Sequence, residues 1–378
     1  MNPSSQSRQR VTQLTPLADV LACIDARVSP VEPRLLDVAA ASGGALAKDV
    51  LAVRTFPEVP IALVDGWALN SERVADASQY TPVALADAPS WADIGSPLGE
   101  ADTIVPQGAV RLLGGGAEVF VAAAPGEGVL PVGSEVTAGE VLRRAGERLR
   151  AIDVGLLRTA RVTKIQVRIP SVRIIVAAQD IDRNTDTIGP FTIREVEAQG
   201  AVARLAYLEE RDVHALERAL LPPDADALIL IGGTGAGRRD HSVETLARLG
   251  RVEVHGIALS PGSTAALGFL DTCAVLLLPG RFDAALAALL TLGRRLLARL
   301  SGATGAEPAQ RLPIARKISS SIGVAEVVVV RRTADELEPI ARQFLPLRAL
   351  ARADGWVLVP PNSEGYAAGS MLDMLPLP

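Results

Sequence analysis

The chain has 378 residues, 48% of them hydrophobic and 21% charged, with a formal net charge of −5 at pH 7. This length exceeds what one core organises, so two or three domains of about 150 residues are expected, and the apolar share excludes a disordered chain. The negative balance and 3% aromatic content exclude a nucleic-acid binder, because neither phosphate attraction nor base stacking is provided for, although a few placed cations still suffice for a small anion.

The two cysteines, Cys23 in a helical pattern and Cys273 in an apolar strand, have no CxxC or metal-ligand spacing, and both are expected as buried, reduced thiols. The leader MNPSSQSRQR has no apolar core, and charged residues break the longest apolar runs, which predicts a cytoplasmic protein with no membrane partner.

In chain order, Leu17, Val20, Leu21 and Ile24 share one face of a predicted amphipathic helix. A second helical pattern runs from Arg34 to about Arg54, and between Val59 and Gly139 prolines and glycines punctuate short β runs, with Gly114 to Gly116 suited to a hairpin turn. Helical character is expected again over GEVLRRAGERLRAIDVGLLRTARV. From Val172 apolar strands alternate with amphipathic helices, which predicts a parallel sheet with crossovers, a helix from Asp283 to Leu300 and a domain end near Gly305. The C-terminal part holds the β runs AEVVVVRR and GWVLVPP.

The most informative segment is GGTGAGRRD, Gly232 to Asp240, directly after the apolar run ADALILI. A strand covered on both faces delivers its following loop to the ligand-binding edge of an open α/β sheet. Gly232, Gly233, Gly235 and Gly237 let backbone N–H groups approach an anion, Thr234 adds a hydroxyl, Arg238 and Arg239 add charge, and a helix from about Ser242 aims its positive end there. The Lys-Ser/Thr ending of a Walker loop and the spacing of the dinucleotide fingerprint are both missing, so nucleotide hydrolysis has no support.

The loop resembles the signature of the molybdopterin-binding domain shared by MogA-type and MoeA-type proteins. VDGWAL (Val64 to Leu69), LGEADTIVPQGAV, VGSEVTAGEVLRRAGERL, VEVHGIALSPGS and LLLPGRF resemble, in order, segments of the MoeA-type molybdopterin molybdotransferases, relatives of the gephyrin E-domain. The resemblance implies an α/β fold with a molybdopterin-binding domain of parallel-type sheet at 172–305. Around it are expected an N-terminal leader and helix at 1–26, a helical, elongated linking domain at 27–58 and 139–171, an inserted β module at 59–138 and a C-terminal β domain at 306–378.

For function, the resemblance implies insertion of molybdate into adenylylated molybdopterin with release of AMP, Mg²⁺ as cofactor, and a homodimer in which Asp65 and Asp240 meet across the subunit interface. Other cofactor-synthesis proteins or a molybdoenzyme are further implied partners. The family's catalytic acids fall on Asp65, Asp240, Glu135 and Asp180; an Asp/Glu exchange at the last two shifts a carboxylate by a methylene. Ligand contacts fall on the Gly-rich loop and on Pro261, Gly262, Ser263, Gly280 and Arg281. Two lysines of the family's K-P-G-K-P loop are replaced, by Ser260 and Ser263, and Arg238, Arg239 and Arg281 are the expected substitutes, each offering a bidentate fork.

Those losses keep a second reading open, a cofactor-binding paralogue without insertion activity, acting as carrier or accessory to a molybdoenzyme. A third is a MogA-type adenylyltransferase. His241 beside Asp240 is a minor acid–base candidate, His214 and His255 carry no assigned chemistry, and Asp182 and Asp186 around Asn184 are either sheet-edge residues or a polar turn.

Overall fold

The computed structural model describes residues 9–177, 186–210, 212–305 and 309–377. The calls on Asp180, Asp182 and Asn184 lie outside the described residues.

The central sheet has six strands, numbered here in chain order: β1 (Ser171–Val176), β2 (Val202–Tyr207), β3 (Ala227–Ile231), β4 (Arg251–His255), β5 (Ala266–Leu270) and β6 (Cys273–Leu278). Their spatial order is β2-β1-β3-β6-β5-β4. All five residues of β3 and all six of β6 are buried, the continuous apolar pattern of strands covered on both faces. On one face Val20 and Ile24 of α1 (Leu17–Arg27) pack with Leu286, Leu292 and Leu297 of a helix running from Phe282 to Ser301; on the other, Leu216, Leu220, Val243 and Leu246 close the core.

The expected parallel sheet is mixed. β2, β1, β3 and β6 are parallel, whereas β5 is antiparallel to both β6 and β4. Only Asp271 and Thr272 join β5 to β6, and a parallel crossover needs a dozen residues or more, so the chain turns back as a hairpin.

The segment from Arg34 to Arg54, expected as a helix, forms short strands at Arg34–Asp37, Ala45–Leu46 and Val50–Leu51. The first two pair antiparallel with Lys164–Arg168. Gly43 and Gly44 interrupt the alanine-rich run, and Gly43 has φ +85°, so weak local helix propensity yields to a strand partner more than a hundred residues away. For the same reason Val141–Arg143 is a strand on Val50–Leu51, and helix starts only at Ala151–Thr159. The hairpin at Gly114 and Gly115 joins Val110–Leu113 to Gly116–Val119.

In the C-terminal sheet the central strand is Ala325–Arg332, whose first six residues are buried. Leu259–Ser260, in the loop after β4, pairs parallel with Ala325–Glu326, so the C-terminal sheet extends to the edge of the central one. Cys273 is buried and Cys23 half-buried, and both are free; burial pushes the Cys273 thiol up to about 11. No helix among the described residues is long and apolar enough to cross a membrane.

Candidate functional site

The carboxyl ends of β3 and β6, adjacent and parallel, release Gly232–Asp240 and Pro279–Arg281 side by side, and Gly232 N still donates to Leu278 O at 2.9 Å. Ligands bind at this edge of an open α/β sheet because the loops there are free to diverge. A cavity of about 860 Å³ opens between them, walled by Gly233, Thr234 and Gly235, by Pro279 to Arg281 and by Ser260 to Thr264, with Asp240 on its lining. That is the size range of cofactor sites.

Local hydrogen bonds fix the Gly-rich loop. Ser242 Oγ donates to Gly232 O at 2.8 Å and Ser242 N to Gly233 O at 3.1 Å, which joins the loop to the first turn of the helix Ser242–Leu249. The positive end of that helix and the start of the helix at Phe282 both lie at loops lining the cavity, as suits a negatively charged ligand. His255 Nε2 lies 3.0 Å from Thr234 O, and the hydroxyls of Thr234 and Thr264 are 3.1 Å apart, so β4 and the Ser260–Thr264 loop brace the cradle.

Gly233 has φ +73°, and a Cβ built there comes 2.4 Å from Ser242 Oγ. A side chain would be strained and would also displace the serine that closes the loop. Gly233→Ala is expected to weaken binding of a phosphate-bearing ligand by about tenfold to a hundredfold, on the scale of one or two lost charge-assisted hydrogen bonds. Calorimetric titration checks this, with circular dichroism unchanged.

Of the expected ligand residues, Gly233, Thr234 and Gly235 line the cavity, as do Pro261, Gly262 and Ser263 and then Gly280 and Arg281; Gly232 and Gly237 do not. Arg238 and Arg239 are exposed and also absent from the lining. Asp240 N donates to Gly237 O at 3.1 Å and Gly237 N to Asp240 Oδ2 at 3.1 Å, which makes the two arginines the tip of a closed turn. Arg281 lines the cavity but meets Asp283 as a fork at 3.0 and 2.7 Å and lies over the Phe344 ring. The hydrogen bonds that Arg281 donates to Asp283 hold its already high pKa higher still.

The remaining acids lie elsewhere. Asp65 sits on an exposed turn of the inserted module, its Oδ1 accepting from Ile94 N at 2.7 Å. Glu135 is exposed at the base of that module, next to the bridge between Phe56 and Val136. Neither lines the cavity, and no residue between 27 and 171 does. Asp186 caps the helix Ile188–Ala198 by accepting from Ile188 N and Gly189 N, and His241 stands 3.9 Å from Glu244.

Sequence reasoning missed contributions from both ends of the chain. Gln9, in the polar leader, donates to Gly233 O at 2.7 Å and Gly235 O at 2.9 Å, and Leu14 lines the cavity. Val324 and Gln343 line it from loops beside the C-terminal strands Ala325–Arg332 and Leu337–Ala341, and Gln343 holds φ +60°, a conformation that concentrates at ligand sites. No spacing rule links these positions to the loop.

These features define a class: an α/β protein with a cavity at a sheet edge, lined by a Gly-rich loop and completed by loops of its C-terminal part. Two family models match it, "MoeA N-terminal region (domain I and II)" over residues 15–160 and "Probable molybdopterin binding domain" over residues 171–299. The chain belongs to the MoeA family of molybdenum cofactor biosynthesis.

A protein of Methanocaldococcus jannaschii named for molybdopterin biosynthesis is 26% identical over 369 residues, covering 90% of this chain and 91% of that one. A molybdopterin molybdenumtransferase of Haemophilus influenzae is 22% identical, over 72% of this chain and 74% of its own. In fold, the molybdopterin biosynthesis moeA protein of Pyrococcus horikoshii OT3 superposes with a TM-score of 0.74 at 21% identity, covering 97% of this chain and 100% of that one.

Proposed function

We propose that the chain binds adenylylated molybdopterin in the 860 Å³ cavity and inserts molybdate with release of AMP. The observation that carries this reading is the convergence of the Gly-rich loop, the Pro279–Arg281 loop and the Ser260–Thr264 loop on one cavity with a carboxylate on its wall. Backbone N–H groups and the Thr234 and Thr264 hydroxyls meet the oxyanions, and Asp240 handles protons as oxygen leaves.

The second carboxylate, Asp65, comes from a partner subunit in this reading. The inserted module contributes nothing to the cavity of its own chain, and Leu63, Val64, Trp91 and Ile94 are exposed on the module that carries Asp65. Apolar side chains grouped at a module surface suit a subunit contact. The working domain limits are those set by sequence: 27–58 with 139–171, 59–138, 172–305 and 306–378.

Mg²⁺ finds no ready cage in one chain: among the described residues no group of three His, Cys, Asp or Glu side chains could hold a metal.

The competing reading, a binding protein without turnover, draws on Ser260 and Ser263 at the positions of the family's lysines and on Arg281 being held by Asp283. Purified protein incubated with adenylylated molybdopterin and molybdate separates the two. Insertion predicts AMP release and reconstitution of an apo-molybdoenzyme, whereas binding without AMP release selects the carrier.

A further inference from the structure

The side-chain amide of Gln9 is fully engaged at the Gly-rich loop. Its Nε2 donates to Gly233 O at 2.7 Å and to Gly235 O at 2.9 Å, and its Oε1 accepts from Glu244 N at 3.3 Å. Glu244 is the third residue of the helix Ser242–Leu249, whose N-cap residue, His241, makes no side-chain cap. Gln9 therefore supplies, from the leader, the acceptor that an N-cap side chain usually gives to the third helical N–H.

The leader is seated so that the amide stays in place. Thr15 N donates to Gly256 O at 3.0 Å and Ala258 N to Thr15 O at 2.8 Å. Gly256 has φ +97°, and a Cβ on it would overlap Val11 Cγ1 and Gln13 O. The bare backbone at Gly256 thus lets the leader lie against the end of β4, with Leu14 on the cavity wall.

Three carbonyls of the loop are tied by these partners. Ser242 Oγ holds Gly232 O, Ser242 N and Gln9 share Gly233 O, and among the described residues Gln9 alone holds Gly235 O. All three peptides are trans, so the N–H that follows each carbonyl points the opposite way. The N–H groups of Thr234 and Ala236 are therefore turned away from Gln9. Neither has an acceptor among the described residues, although Thr234 is only 2% exposed. A donor left open at so buried a residue calls for a partner from outside the chain. Gln9 does not line the cavity, whereas Thr234 and Gly235 do.

We propose that Gln9 is a positioning residue for the bound oxyanion. It fixes the Gly235–Ala236 peptide, and with Ser242 the Gly233–Thr234 peptide, so that both N–H groups face a phosphate in the cavity. The proposal rests on the reading that this cavity takes a phosphate-bearing ligand. It adds a dependence on the leader, because the donors of the loop keep their direction only while the Gln9 amide is in place.

The test titrates the full chain with pyrophosphate, read by calorimetry and by the backbone amide resonances of the loop. Wild type is compared with Gln9→Met, which keeps the length of the side chain and removes the amide. In the wild type the Thr234 and Ala236 amides are expected to shift on binding. In Gln9→Met affinity falls about tenfold, the scale of one or two lost hydrogen bonds. The Ala236 shift is then lost, and that of Thr234, still held through Ser242, is reduced. Gln9→Glu keeps an acceptor for Glu244 N but, as a carboxylate, donates nothing, so at saturating pyrophosphate it does not restore the Ala236 shift. Restoration by Gln9→Glu, or affinity and both shifts unchanged in folded Gln9→Met, overturns the proposal and leaves the proposed function standing. Wild-type amides that do not respond to pyrophosphate overturn the phosphate cradle itself, and the proposal with it.

Discussion

Asp240→Asn and Asp65→Asn each lower AMP release by on the order of a thousandfold, the scale of a lost acid–base group. Both substitutions keep the shape of the side chain. Asp240 accepts from Gly237 N and Asp65 from Ile94 N, and an amide oxygen can take either bond, so the turns persist while the charge is lost. The informative step is to mix the two inactive variants. If Asp65 of one subunit completes the site of the other, a randomly exchanged mixture contains heterodimers with one intact site and recovers about a quarter of wild-type activity. No recovery on mixing, with subunit exchange demonstrated, removes Asp65 from a shared site. Undiminished AMP release in Asp240→Asn removes that carboxylate from the chemistry.

The largest expected loss of stability comes from Glu195→Ala. Glu195 is fully buried on the helix Ile188–Ala198 and pairs with the buried Arg294 of the helix Arg294–Ser301, whose Nη2 also donates to Pro376 O at 3.3 Å. One ion pair therefore joins two helices of the α/β unit to the end of the chain. Removing the carboxylate takes from a buried cation its charged partner on the neighbouring helix, a cost of about 3 to 5 kcal/mol, whereas replacing both partners with apolar groups is often near neutral. Urea denaturation of Glu195→Ala and of Glu195→Leu/Arg294→Met measures the difference. A loss under about 1 kcal/mol in the single variant would mean that water or the other contacts of Arg294 take up the charge.

Loss of the family's lysines is not visibly offset at the cavity wall. Arg238 and Arg239 occupy a turn tip outside the lining, and Arg281 is shared with Asp283. In the proposed reading, recognition of a phosphate within this chain therefore falls mainly on backbone N–H groups, the two threonine hydroxyls and the helix ends, donors whose orientation is fixed without long flexible side chains.

Local chemistry made much of the protein legible. ALILI reads as a fully buried strand because nothing polar interrupts it, and the glycines after it read as a loop of unusual backbone, which Gly232 and Gly233 bear out with φ of +102° and +73° at the sheet edge. Other features were settled by partners distant in sequence. Arg34 to Leu51 became strands because Lys164–Arg168 and Val141–Arg143 pair with them, and β5 reversed because its link to β6 was too short for a crossover. Gln9 joined the site across more than two hundred residues, His255 from β4 of the same sheet, and Gln343 from the C-terminal part of the chain. Sequence by itself determined where the glycine loop follows a buried strand. The tertiary structure decided which side chains surround it, because hydrogen-bond geometry and burial depend on neighbours that no local pattern names.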